Sequence, residues 1–254
     1  MTDYQDLKII IASRASIVVI ETYEELRAIN LVIQVGVTQG KPVFTWSITE
    51  GLLRADQKHK TAQRLTSDPD AALGQIKATG RSGIYVLCDF HPYLENMPKN
   101  VRLLKEIAMQ EEQSNHTVVL LSHRLSIPPE IKRYSAQITM SLPNDQQLLH
   151  LVKEEASARS KKQQGKKVAT DSKSLRQLVS NLKGLTYADA RRLARGAIID
   201  DGAITEDDIP ALNKAKFELM DMDGVLNFEF DTSSFSDVGG LANLKLWLEQ
   251  RRYG

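Results

Sequence analysis

Six consecutive residues, Ile84-Tyr85-Val86-Leu87-Cys88-Asp89, limit what this chain can fold into more than any other stretch. The first five are largely apolar, Gly83 stands before them and Phe90-His91-Pro92 after. A short apolar run without alternation suits a strand buried on both faces, the kind found in the middle of parallel sheets. The run closes on a carboxylate. Open α/β sheets place their ligands at the carboxyl ends of their strands, which makes Asp89 the first candidate functional residue.

The segments before and after fit the same picture. Residues 4–13 carry Leu7, Ile10 and Ile11 on one helical face, and Ile17-Val18-Val19-Ile20 reads as a strand. Thr22, with Glu25 three residues on, has the form of a capping box, so a helix is expected to start there and run on through Leu26, Ile29 and Val32. A strand follows over Val43–Ser47, then a polar stretch through 54–67, then a short helix from Asp68-Pro69-Asp70 toward Gly80. Val101, Leu104, Ile107 and Ala108 predict a helix from Pro98 to about Asn115. Thr117–Leu121 and Ala136–Leu142 read as further strands, separated by the extended Ile127-Pro128-Pro129 passage. Strands alternating with helices give an α/β domain with a mostly parallel sheet.

Asn144 and Gln147 then cap a helix carrying Leu148, Leu151 and Val152. Arg159–Lys167 has no apolar residue and is expected to be a basic linker or exposed loop. Beyond it the periodicity is helical: Leu175, Leu178, Val179 and Leu182 before Gly184, then Thr186 and Asp189 capping Ala190, Leu193, Ala194 and Ile198. Thr205 and Asp208 cap a third helix with Ile209, Leu212 and Leu219 inward. The expected division is 1–158 for the α/β domain, 159–170 for the linker, 171–224 for a small all-α lid-like bundle and 225–254 for the start of something further.

Charge excludes some functions at the level of the whole chain. Thirty-three basic residues against 32 acidic ones leave +1, too little for a dedicated polyanion binder. The basic run at 159–167 has no interleaved aromatic for stacking and reads first as a solvated segment, with a nucleic-acid-binding module through this patch as the alternative. The single cysteine, Cys88, fits a reducing compartment. No apolar run approaches a membrane span, and no secretory signal is visible, so a soluble intracellular protein is expected.

The chemistry expected at a nucleotide site is missing its main parts. A phosphate loop needs glycines, so that backbone N–H groups approach the anion, and a lysine behind them. The turn after the first strand instead reads Ile20-Glu21-Thr22-Tyr23-Glu24-Glu25, and no Gly-x-x-x-x-Gly-Lys-Ser/Thr occurs in the chain. Asp89 has a reading as a magnesium ligand and one as an acid bonded to nearby loop groups; Phe90, where a water-activating glutamate would stand, favours the second. Cys88, Asp89 and His91 point to alternating faces, and the histidines at 59, 91, 116, 123 and 150 are scattered, so no metal cluster is expected. Ser122-His123 lacks the flanking glycines of a nucleophile elbow.

The order of pieces resembles the AAA-type ATPase module, a P-loop-NTPase-like sheet domain followed by a helical lid. Ile84–Asp89 is similar to that family's Walker B strand with Phe90 in place of its glutamate, and Thr117–Ser122 to its sensor-1 strand. Ile127-Pro128-Pro129-Glu130-Ile131 matches the continuation, while Arg133 is the one residue near the family's arginine pair. Phe235-Ser236-Asp237-Val238-Gly239-Gly240-Leu241 resembles the segment opening such a module, and the resemblance puts Asp237, Val238 and Gly239 at the adenine edge if a phosphate loop follows. A degenerate first module with the start of a second, incomplete one at 225–254 resembles the cyanobacterial and plastid-encoded AAA ATPase family, a hypothetical chloroplast open reading frame. That resemblance implies ATP and magnesium for a complete member, ring-type self-association and a link to photosynthetic physiology, in the cytoplasm or plastid stroma. For this chain alone it implies no cofactor, and a domain for assembly or partner binding.

Overall fold

The computed structural model describes residues 2–55, 63–162, 169–170, 172–201, 203–204, 208–220 and 241–252. It contains two compact units, Met1–Leu142 and Pro143–Gly254.

In the first unit the elements are α1 (Asp3–Ala12), β1 (Ile17–Glu21), α2 (Glu25–Gln39), β2 (Val43–Ser47), β3 (Gly51–Arg54), α3 (Pro69–Ala78) and β4 (Gly83–Cys88). They continue as α4 (Pro98–Met109), α5 (Glu111–Ser114), β5 (His116–Ser122), α6 (Pro129–Lys132) and β6 (Ser135–Thr139). The six strands form one sheet in the order β3-β2-β4-β5-β1-β6. Every neighbouring pair is parallel except β3, which runs antiparallel to β2 at the edge. The expected α/β class with a mostly parallel sheet is what the chain forms, and β4 and β5 at its centre are buried along their whole length.

Strand alternation sorts the apolar residues onto two faces. Val19, Trp46, Tyr85, Leu87, Val118 and Leu120 point to one side, where Leu73 and Ile76 of α3 and Leu104 and Ile107 of α4 cover them. Val18, Ile20, Ile84, Val86, Val119 and Leu121 point to the other, beneath Leu7 and Ile11 of α1 and Ala28, Val32 and Val35 of α2. Each such side chain taken from water stabilises the fold by about 1.5–3 kcal/mol, so this two-sided core dominates. A Cβ on Gly36 would collide with the Val43 side chain, and only glycine lets α2 lie this close to β2. Gly40, at φ 65°, then ends α2 in the left-handed conformation.

The sequence reading passes over β3, a strand of four residues beside a polar stretch. Two contacts hold its corner: the Leu52 N–H donates to Thr66 Oγ1 at 2.8 Å, and Trp46 Nε1 donates to the Thr66 carbonyl at 2.7 Å.

The second unit contains α7 (Asp145–Lys162), β7 (Ala169–Thr170), α8 (Ser172–Asn181), α9 (Tyr187–Asp201), β8 (Ala203–Ile204), α10 (Asp208–Met220) and α11 (Ala242–Arg252). Leu148, Leu151 and Val152 of α7, Leu178 and Val179 of α8, Ala194 and Ile198 of α9 and Leu212 of α10 share one core. Two of the expected caps form. Asn144 and Gln147 exchange backbone-to-side-chain bonds of 2.9 and 3.0 Å, and the Asp189 N–H donates to Thr186 Oγ1 at 3.1 Å. The Thr205 part of the third cap lies outside the described residues.

The division between units falls earlier than the basic run at 159–167. Helix α7 carries its apolar stripe into the helical core, which moves the boundary to Leu142–Pro143. The first residues of that run continue α7 through Lys162 instead of forming a loop. Among the described residues no helix is long and apolar enough to cross a membrane.

Candidate functional site

Three strand ends converge at the carboxyl edge of the sheet. The Thr22 N–H donates to the Ser122 carbonyl at 2.8 Å, and the Asp89 N–H to the Leu121 carbonyl at 2.9 Å. These bonds carry the ladder one residue past β1 and β4 and so bring Thr22, Asp89 and Ser122 together. Asp89 turns the chain with φ 49°, a conformation that aspartate tolerates better than most residues.

Asp89 belongs to a relay of side chains. The Ser122 hydroxyl donates to Asp89 Oδ1 at 3.2 Å and lies 2.8 Å from His91 Nδ1. One hydroxyl proton serves one acceptor, so with that proton on Asp89 the arrangement calls for the Nδ1–H tautomer of His91 donating to Ser122. The His91 ring meets the edge of His123 at 5.2 Å, and His123 stacks on Tyr23 at 5.6 Å. Ser122 is buried, whereas Tyr23 is 69% exposed. The relay therefore runs from the interior to the surface.

A cavity of about 370 Å³ opens beside it, lined by Thr22, Tyr23, Glu25, Asp89, Ser122 and His123 together with Leu121. Partial desolvation of its carboxyl, reinforced by the charge of Asp89, raises Glu25 above the ordinary glutamate range although the residue as a whole is exposed. The two other acids of the turn are engaged elsewhere. Glu21 accepts from the Leu125 N–H at 2.9 Å and from Gln137 Nε2 at 3.4 Å. Glu24 pairs with Arg27 at 2.7 Å, and Arg27 also holds Asp3 at 2.7 Å.

The start of α2 differs from the expected capping box. Its N-cap is Glu24, and no side chain caps it. The Thr22 hydroxyl accepts from the Glu24 N–H two residues on, at 3.0 Å, and this local turn occupies the oxygen that was to reach Glu25. Glu25 is the first residue of the helix and faces the cavity instead. The expected capping box is therefore absent, and the turn forms an acidic mouth instead of a self-capped helix end.

Comparison with known proteins places this frame. Residues 3–140 match the N-terminal domain of SpoVK-like AAA ATPases, and residues 146–223 match the second domain of the same proteins. The chain belongs to the SpoVK-like AAA ATPase family. It is similar to the AAA domain-containing protein ycf46 of Guillardia theta, 27% identical over 99% of this chain and 48% of that protein. It is also similar to ycf46 of Pyropia yezoensis, 24% identical over 97% of this chain and 49% of the relative. The chain thus spans about half the length of the curated relatives it matches. Its fold resembles that of C. elegans PCH-2, with a TM-score of 0.53 at 10% identity over 85% of this chain and 68% of that one. The resemblance to plastid-type AAA ATPases read from the sequence agrees with these matches.

Against the AAA frame, Asp89 closes the strand that resembles Walker B, and Ser122 closes the one that resembles sensor 1; the structure joins them by a hydrogen bond. Phe90 is wholly buried among Trp46 and Tyr93, at ring distances of 5.0 and 5.7 Å, so its position belongs to the core. Cys88 packs into the core on the face of the sheet opposite Phe90. Among the described residues no group of three His, Cys, Asp or Glu side chains could hold a metal ion. Arg133 stands at the end of α6. Asp237, Val238 and Gly239, the expected adenine edge, lie outside the described residues.

The lining of the cavity presents two carboxylates, one imidazole (His123) and neither lysine nor arginine, where phosphates are held by N–H donors and a cation. Sequence reasoning missed Glu25 facing Asp89, the His91–Ser122 contact and the Tyr23–His123 stack. The available signal was positional, since these residues directly follow, or close, the three most apolar strands.

Proposed function

We propose that this chain is a non-hydrolysing AAA-like domain for assembly or partner binding, serving an AAA ATPase whose catalytic module lies downstream. The observation that carries the reading is the acidic cavity at the phosphate position. Glu25 and Asp89 share a mouth of about 370 Å³ with neither lysine nor arginine in its lining. Two carboxylates at one mouth, with the Asp89 charge adding to what raises the Glu25 carboxyl, repel a polyphosphate, and no lysine is there to reverse the sign. Asp89 on this reading is an acid held by Ser122, with its role as a magnesium ligand lost. Calorimetry of magnesium-ATP titrated into the chain tests it. No saturable heat is expected, and micromolar, magnesium-dependent binding would overturn the reading.

A second reading concerns the complete product. The matched relatives are about twice as long as this chain, which supports ATP and magnesium use by a module beyond residue 254. In that product Asp237, Val238 and Gly239 would border the adenine, and self-association in a ring would join the two modules. Steady-state ATP hydrolysis by the longer product checks this. A downstream sequence without a glycine-lysine phosphate loop, or a product without activity, counts against it.

A further inference from the structure

The helical unit carries a groove of about 490 Å³ between α7 and α8. On α7 its lining falls on Asp145, Leu149 and Lys153, each four residues after the last, and on α8 on Leu175 and Val179 with the same spacing, with Lys183 in the turn that follows α8. One face of each helix therefore borders it, and the groove follows the pair lengthwise. Leu149, Leu175 and Val179 make an apolar floor. Lys153, Arg176 and Lys183 stand exposed along it. Asp145 is the one acid among the lining residues, and Lys183 holds it at 2.8 Å.

We propose that this groove receives an acidic amphipathic helix from a partner protein. Two parallel ridges with an apolar trough between them fit a third helix, whose own apolar stripe would cover the floor. The charges on the rim select which helix. With Asp145 paired to Lys183, the Lys153 and Arg176 cations face carboxylates flanking the incoming stripe and repel a basic helix. A nucleic-acid strand fits less well, because the floor is aliphatic and no lining residue is an aromatic ring for a base to stack on.

The test uses the full chain and a fluorescein-labelled peptide of about four helical turns. The peptide has leucines at i, i+3, i+4 and i+7 and glutamates on its remaining face. Anisotropy should show saturable micromolar binding that weakens as salt is raised. The exposed double substitution Lys153→Glu with Arg176→Glu, its helicity checked by circular dichroism, should lower affinity at least about tenfold. The same peptide with lysines for glutamates should not bind. No saturable binding, equal binding of both peptides, or an unaffected double variant would overturn the proposal. So would a gain in affinity on changing Asp221, Asp223, Glu229 and Asp231 to amides, which would assign the groove to this chain's own acidic stretch. Nucleotide calorimetry reads the sheet edge, so the two proposals fail separately.

Discussion

At the carboxyl edge of the sheet, Glu25 and Asp89 line a cavity that has neither lysine nor arginine in its wall. Between α7 and α8, Lys153, Arg176 and Lys183 border a groove that holds a single carboxylate. Both concavities are by-products of the same process, the burial of apolar stripes on strands and helices. Charge is what separates them. Burial dictates Val86, Val119 or Leu151 almost regardless of function, but it leaves the residues at strand ends and helix rims free to vary. A fold can therefore persist at 10% identity to a solved structure while the charges at its strand ends vary. Family membership speaks for the first property and the local side chains for the second.

The largest expected effect tests whether Phe90 belongs to the core or to the edge. In the AAA frame a glutamate would stand there, yet Phe90 is wholly buried against Trp46 and Tyr93. Phe90→Ala is expected to lower stability by about 3–5 kcal/mol in urea unfolding. Phe90→Glu should lower it at least as much, because its carboxylate would be buried without a partner. Neither variant gains nucleotide hydrolysis. A Phe90→Glu protein with wild-type stability would mean that the side chain reaches the cavity, and the contrast between core and edge would fail at that position.

Legibility divides along the same line. The continuous apolar runs at 17–20, 84–88 and 117–121 announced β1, β4 and β5, since only central strands need both faces apolar. Asn144–Gln147 and Thr186–Asp189 announced their helix starts, because reciprocal capping acts over three residues. Thr22–Glu25 has the same spacing and forms no such box, since a two-residue turn takes the threonine oxygen first. Asp89 was legible as an edge acid. Its bond to Ser122, its charge contact with Glu25 and the whole α7–α8 groove were not, because each joins residues that only the fold brings together.

A middle-sized effect sharpens the account of where the edge keeps its charge. Arg27 bridges Glu24 and Asp3 at 2.7 Å each, and the Glu24 side chain is 6% exposed. Arg27→Ala leaves Glu24 without this cation and frees Asp3 of α1 from α2, for an expected loss of about 1–3 kcal/mol in urea unfolding. Asp3→Asn removes one arm only and should lose less. Equal stabilities of wild type and Arg27→Ala would show that the bridge contributes nothing to holding α1 against the start of α2.

The smallest effect is a pH dependence, and it addresses the cavity most directly. Partial desolvation, with Asp89 second, raises the Glu25 carboxyl in the folded chain above its unfolded value. The native state then holds this proton more readily than the unfolded state. Ionised Glu25 accordingly opposes folding at neutral pH, and that opposition fades as pH falls through its folded pKa. Glu25→Gln should be slightly more stable than wild type near pH 7, with the difference closing in acid. Asp89→Asn keeps an oxygen for the Ser122 hydroxyl while removing the charge. In that variant the Glu25 midpoint, followed by carboxyl carbon NMR, should fall part of the way toward an ordinary glutamate, because desolvation remains the larger cause. A midpoint that does not move would mean the two carboxylates do not sense each other. The cavity would then be a polar recess of no particular sign, and its contrast with the basic groove would disappear.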